Sequence, residues 1–151
     1  MRDTTHAPEL KTDRLIASGF ELSGRWELDT ASRARFIGEA PKQPGVYAFA
    51  VDGKVLYIGS AQRGIAKRLR RYEITEIRLT AFRVRALITE ALRDGSEVAV
   101  FTIVPGSMRW KGLPVDLIAG LEEGLIRELR PEWNIRGLGA LRKKTASEIS
   151  N

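Results

Sequence analysis

The chain reads as an α+β domain, a small three-stranded sheet with a β-hairpin, flanked by helices in the order β-β-α-α-β-α. Three observations predict it. Two apolar stretches, 45–51 (GVYAFAV) and 54–59 (KVLYIG), flank Asp52-Gly53, a dipeptide favoured in tight hairpin turns. A β-branched run over 97–105 (EVAVFTIVP) supplies a third strand. Helical spacing of apolar residues marks 63–72, 79–95 and 115–130.

Taken in order, residues 1–12 form a polar leader, and 20–28 (FELSGRWEL) read as a strand or short hairpin. Asp29 can cap a short helix over 30–38, and the proline-rich 39–45 then turns the chain into the hairpin. The segment 63–72 (RGIAKRLRRY) is a basic helix. The next helix, 79–95, is closed by Gly95, and Pro114 opens a last helix that Pro131 stops. The expected division is an N-terminal extension over 1–40 that packs on the core, a domain over 41–137, and a flexible basic tail over 138–151.

Composition narrows the chemistry. The 151 residues suit one domain, and 25 Lys and Arg against 19 Asp and Glu leave a net charge of +6. That excess favours a polyanionic partner such as nucleic acid. With no cysteine, disulfides and thiolate metal sites are excluded. The one histidine, His6, lies in the polar leader, which argues against a histidine triad and leaves oxygen ligands for any metal. No signal-peptide or membrane-spanning run is evident, so a cytoplasmic protein is expected.

Three positions carry the functional reading. Two of the three tyrosines, Tyr47 and Tyr57, stand on the one hairpin. A two-residue turn pairs Val51 with Lys54 and puts the tyrosines on opposite faces. A three-residue loop pairs Ala50 with Lys54 and sets Tyr47 opposite Tyr57 on one face. Both turns accept Asp-Gly. Arg68 and Tyr72 share a face of the basic helix, beside the apolar stripe of Ile65 and Leu69. Arg63, Lys67, Arg70 and Arg71 surround them, either as a solvated face or as a phosphate-contacting surface.

On the last helix, Glu122 interrupts an apolar stripe of Val115, Ile118, Ala119, Leu125, Ile126 and Leu129. A carboxylate there needs Arg68 or a divalent cation to meet it, or else a rim position in a structural ion pair. Its neighbour Glu123 can pair with Arg127. Asn134 follows Pro131 in RPEWN.

These residues resemble the GIY-YIG nuclease superfamily. Gly45-Val46-Tyr47 matches the first motif and Tyr57-Ile58-Gly59 the second, with Arg68 and Tyr72 on the arginine helix. Glu122, Leu125, Ile126, Pro131 and Asn134 match the closing element. The tyrosine after the arginine is similar to the repair-type and small stand-alone members. That branch commonly has lysine where this chain has Ser60.

The resemblance implies a metal-dependent endonuclease that hydrolyses phosphodiester bonds in DNA, in a repair, restriction or mobile-element setting. Glu122 would hold one divalent ion, Mg²⁺ or Mn²⁺. Tyr47 would act as base with Tyr57 beside it, and Arg68 would neutralise the phosphate. Tyr72 would position phosphate or water, and Asn134 would brace Tyr47 or its loop. Arg63, Lys67, Arg70 and Arg71 would bind the nucleic-acid backbone. DNA is the expected partner, with RNA as the alternative, and either a monomer or a homodimer is compatible. The competing readings are a binding module of the same fold without catalysis and a protein-interaction domain.

Overall fold

The computed structural model describes residues 11–74 and 79–134. The expected tail over 138–151 and the leader up to residue 10 lie outside the described residues. The element order is α1 (Thr12–Ala17), β1 (Glu21–Leu28), β2 (Ala34–Gly38), β3 (Gly45–Val51), β4 (Lys54–Ala61), α2 (Ile65–Ile74) and α3 (Leu79–Arg93). There follow β5 (Val98–Ile103), β6 (Met108–Trp110), β7 (Leu113–Val115) and α4 (Leu117–Leu129).

The α+β class is as expected, but the sheet is larger than three strands. Five antiparallel strands run in the order β2-β1-β5-β3-β4, and β6 and β7 form a separate two-stranded ribbon. The central strand β3 is buried from Gly45 to Ala50 and pairs with β4 on one side and β5 on the other. Its unbroken apolar run suits a strand covered on both faces.

The two faces are filled differently. One carries an aromatic core, where Trp26, Tyr47, Phe49, Tyr57 and Tyr72 pack with Ile65 and Leu69 of α2 and Val84 and Ile88 of α3. Trp26 meets Phe49 and Tyr72 edge-on, at centroid separations of 5.7 and 6.1 Å. Such pairs add about 0.5–1.5 kcal/mol each to the area they bury. On the opposite face Val46, Ala48, Ala50 and Ile58 pack with Leu15 of α1 and with Ile118, Leu121, Leu125 and Leu129 of α4. Helices α2 and α4 therefore approach the edge strand β4 from opposite faces.

The corrections have local causes. Asp29 caps a turn, not a helix: its Oδ1 accepts from the backbone N–H groups of Ala31 and Arg33, and residues 34–38 pair with β1. Phe36 N–H donates to Glu73 on α2, which fastens this edge strand to the helical layer. Pro114 lies in β7 rather than opening the last helix. Asp116 is the N-cap of α4, accepting from Ala119 N–H. Helix α1 starts where the polar leader ends, over residues to which the sequence pattern assigns no element. At the end of α3, Gly95 adopts φ +86° and returns its N–H to Leu92, as the sequence predicts. Among the described residues, no helix is long and apolar enough to cross a membrane.

Candidate active site

The hairpin adopts neither expected register. Val51 pairs with Lys54 across a two-residue turn in which Asp52 and Gly53 both have positive φ, +49° and +86°. By itself that turn would separate the tyrosines. A bulge then inserts Leu56, because Ala50 faces Val55 while Phe49 faces Tyr57 and Tyr47 faces Gly59. The extra residue reverses the alternation beyond it and returns Tyr57 to the face of Tyr47. The two rings are diagonal neighbours, 6.3 Å apart between centroids. Gly59 is required by this packing: a Cβ there would lie 2.5 Å from Tyr47 Cζ and 2.6 Å from its hydroxyl.

Helix α2 completes a phenol cluster. Tyr72 is fully buried, and its hydroxyl lies 2.8 Å from that of Tyr47 and 3.5 Å from that of Tyr57. One turn earlier Arg68 aims Nε at the Tyr47 hydroxyl, 3.4 Å away, and its guanidinium stands over the Tyr72 ring at 5.6 Å. The spacing of four along α2 brings a cation and a ring to one place.

Burial pushes the Tyr47 phenol above its ordinary range, and the neighbouring Tyr57 adds to the rise. Arg68 and the Tyr72 hydroxyl pull the other way. Tyr57 and Tyr72 are also raised, chiefly by burial. Burial thus disfavours the ionised form of all three phenols, and Arg68 opposes this at Tyr47 through both its charge and its hydrogen bond.

Glu122 approaches from the other face of the sheet. Its Oε1 accepts from the Ser60 hydroxyl at 2.9 Å. Burial raises its carboxyl, while Ser60 and then Arg68 act to lower it. Since β4 is an edge strand, a side chain from α4 can reach its end and meet groups from the opposite face. Glu123 points outward and pairs with Arg127 at 3.3 Å, as the helical spacing predicts. Among the described residues, no group of three or more acidic or histidine side chains forms a metal cage.

Asn134 hydrogen-bonds to Ile58 of β4. Its Oδ1 accepts from Ile58 N–H and its Nδ2 donates to Ile58 C=O, both at 2.9 Å. It thus completes the ladder that the edge strand β4 leaves open, at the residue between Tyr57 and Gly59. The basic residues divide. Arg63, Lys67, Arg68 and Arg71 line a groove of about 130 Å³ with Ser60 and Gln62. Arg70 instead lines a separate groove beside Phe36, Lys42 and Glu73, apart from this group.

Two residues were missed by sequence reasoning. Ser60, noted only as a departure from lysine, orients the carboxylate of Glu122. Arg83 on α3 buries Nε and Nη1 without a hydrogen-bond partner, and its charge favours ionised Tyr57. Helical spacing alone places Arg83 beside the buried Val84, so only the fold exposes its relation to Tyr57.

No family model matches the chain, and no curated protein is similar to it in sequence. Solved structures are similar in fold. A point mutant of bacteriophage T4 EndoII superposes with a TM-score of 0.64 at 21% identity, covering 82% of this chain and 97% of that one. The restriction endonuclease HPY188I, in complex with product DNA, gives 0.52 at 18% identity over 78% of each chain. The chain has the fold of these endonucleases.

Proposed function

We propose that this protein is an endonuclease of the GIY-YIG type that hydrolyses phosphodiester bonds in DNA with a divalent cation. One observation carries the reading. Tyr47, Tyr57, Tyr72 and Arg68 from one face of the sheet converge with Glu122 from the other, around the end of an edge strand. A carboxylate, a guanidinium and a potential oxygen base together are what in-line hydrolysis of a phosphodiester requires.

The donor set suits a hard cation. Glu122 offers a carboxylate oriented through one oxygen by Ser60, and among the described residues it belongs to no cluster of three or more acidic or histidine side chains, which fits an ion that keeps most of its water. Such an ion, when bound, would withdraw charge from a phosphate oxygen and from the leaving oxygen. Arg68 neutralises the same phosphate by virtue of its permanent charge. Tyr47 accepts the proton of the attacking water. In its ionised form it receives hydrogen bonds from Arg68 Nε and the Tyr72 hydroxyl, so that the negative charge is held inside the cluster. Tyr57 shields and orients this pair. The groove of Arg63, Lys67 and Arg71 receives the backbone through ion pairing that carries no sequence information.

Cleavage of supercoiled plasmid with Mg²⁺, Mn²⁺ or EDTA tests the reading, with Glu122→Ala in parallel. Metal-dependent nicking by the parent and its loss in the variant is the expected result, with DNA binding retained. A folded parent that shifts DNA but nicks none under any metal makes it a binding module.

A further inference from the structure

The ribbon β6–β7 is not used by the chemistry above, yet it is unusual in what it leaves uncovered. Met108, Trp110 and Leu113 are 50%, 58% and 60% exposed. The chain's other tryptophans, Trp26 and Trp133, are buried at 1% and 4%. Arg109 and Lys111 flank Trp110, and no acidic residue occurs between Ile103 and Asp116. Lys111 takes φ +50° and Gly112 +83° at the tip, a turn whose first position ordinarily selects asparagine, aspartate or glycine. A lysine there spends backbone strain to place an ammonium at the end of the ribbon, where it stands 4.9 Å from the Trp110 ring.

The ribbon is also anchored at the candidate site. Asp116, directly after β7, caps α4, and its second oxygen accepts from Gln62 Nε2 at 3.0 Å. Gln62 lines the groove with Arg63, Lys67, Arg68 and Arg71. Hence the base of the ribbon sits at the rim of that groove.

We propose that the β6–β7 ribbon is a DNA-clamping element that grips duplex flanking the scissile phosphate. It rests on the nuclease reading and extends its substrate-binding surface. Arg109 and Lys111 pair with phosphates, while Trp110, with Met108 and Leu113, covers sugar and base edges in the adjoining groove. Duplex DNA fits better than a second protein chain because the apolar surface is interleaved with cations and free of acids. That combination matches a polyanion whose grooves expose sugar and base edges between the phosphates. It is poorly suited to packing against a second copy of the same positive ribbon.

The test uses the full chain, with Trp110→Ala, and with Arg109→Ala plus Lys111→Asn, the latter chosen because asparagine suits the turn. Anisotropy of a fluorescein-labelled linear duplex is read across a salt series, beside intrinsic tryptophan fluorescence, sedimentation and plasmid nicking. Because Trp110 is exposed, its truncation should leave thermal unfolding unchanged. Binding by Trp110→Ala is expected to weaken about tenfold, as the loss of a large apolar contact surface implies. DNA should quench parent fluorescence, and most of that response should vanish in the variant. The double variant should lower the slope of log affinity against log salt by about 2.

Parental affinity and slope in both variants would overturn the proposal. So would a parental dimer that Trp110→Ala dissociates while DNA affinity stays unchanged, which would make the ribbon a self-association surface. A parent that binds no duplex overturns it together with the nuclease reading. Weakened binding by the ribbon variants, in a protein whose nicking survives Glu122→Ala, supports the clamp and removes the catalytic assignment alone.

Discussion

The three phenols form the only large set of buried hydroxyls described on the aromatic face, and their hydrogen bonds assign them unequal roles. Tyr47 is the one that receives Arg68, so it is the one whose ionised form is best supported. Yet burial holds its proton well above the ordinary phenol value of about 10. The fraction of Tyr47 ready to accept a proton is small at neutral pH and grows with each rise in pH. Cleavage at saturating DNA should therefore climb from pH 6 to 9, and a flat single-turnover profile would remove Tyr47 as the base. Tyr47→Phe should lose about 10²–10⁴-fold in rate. Its stability cost should be about 1–3 kcal/mol, because the hydrogen bonds to Tyr72 and Arg68 are lost while the ring still fills its place.

In the proposed mechanism Glu122 sets the acid limb of the same profile. Its carboxyl is raised by burial and lowered by Ser60, and it must be ionised to hold a cation. Activity should fall as pH drops through that raised value. Ser60→Ala removes a lowering influence, so the acid limb should move to higher pH, with little change on the alkaline side. A limb that stays in place in Ser60→Ala would detach Ser60 from the carboxylate's chemistry.

At the scale of elements, hairpin β3–β4 shows what sequence could and could not supply. The Asp52-Gly53 turn and the pairing of two tyrosines on one hairpin were legible from residue types. The bulge at Leu56 was not, because a leucine at an inserted position carries no mark that a turn glycine does. Nor was the anchoring of β4 legible: Asn134 lies 76 residues from Ile58 and reads locally as a turn former. Its two hydrogen bonds replace a missing neighbour strand. Asn134→Ala should therefore cost about 1–3 kcal/mol in denaturant unfolding, because the Ile58 N–H and C=O are left part-buried without partners. Cleavage should fall as well, since Ile58 separates Tyr57 from Gly59. An unchanged midpoint would show that water satisfies the strand edge equally well.

For the whole molecule, the helices and the candidate site were more legible than the sheet. Glu122 could be found because an acid in an apolar stripe violates helical patterning, and Arg68 with Tyr72 because four residues make a turn. Strand β2 was missed because Asp29 at the head of TASRARFIG looks locally like a helix cap. Only pairing of Trp26 with Phe36 and its neighbours decides otherwise. The resulting fold places one set of Tyr47, Arg68 and Glu122 at one end of one edge strand in each chain. A single such constellation can address one phosphodiester at a time. Supercoiled plasmid at limiting protein should thus pass through a nicked circle before linear product accumulates. The nicked form should rise first and then decay, and added salt should slow its formation steeply if the groove of Arg63, Lys67 and Arg71 binds the backbone by charge, as proposed. Linear product appearing without a nicked precursor would require two chains acting together on opposite strands, and so a dimer whose two edge strands face one duplex.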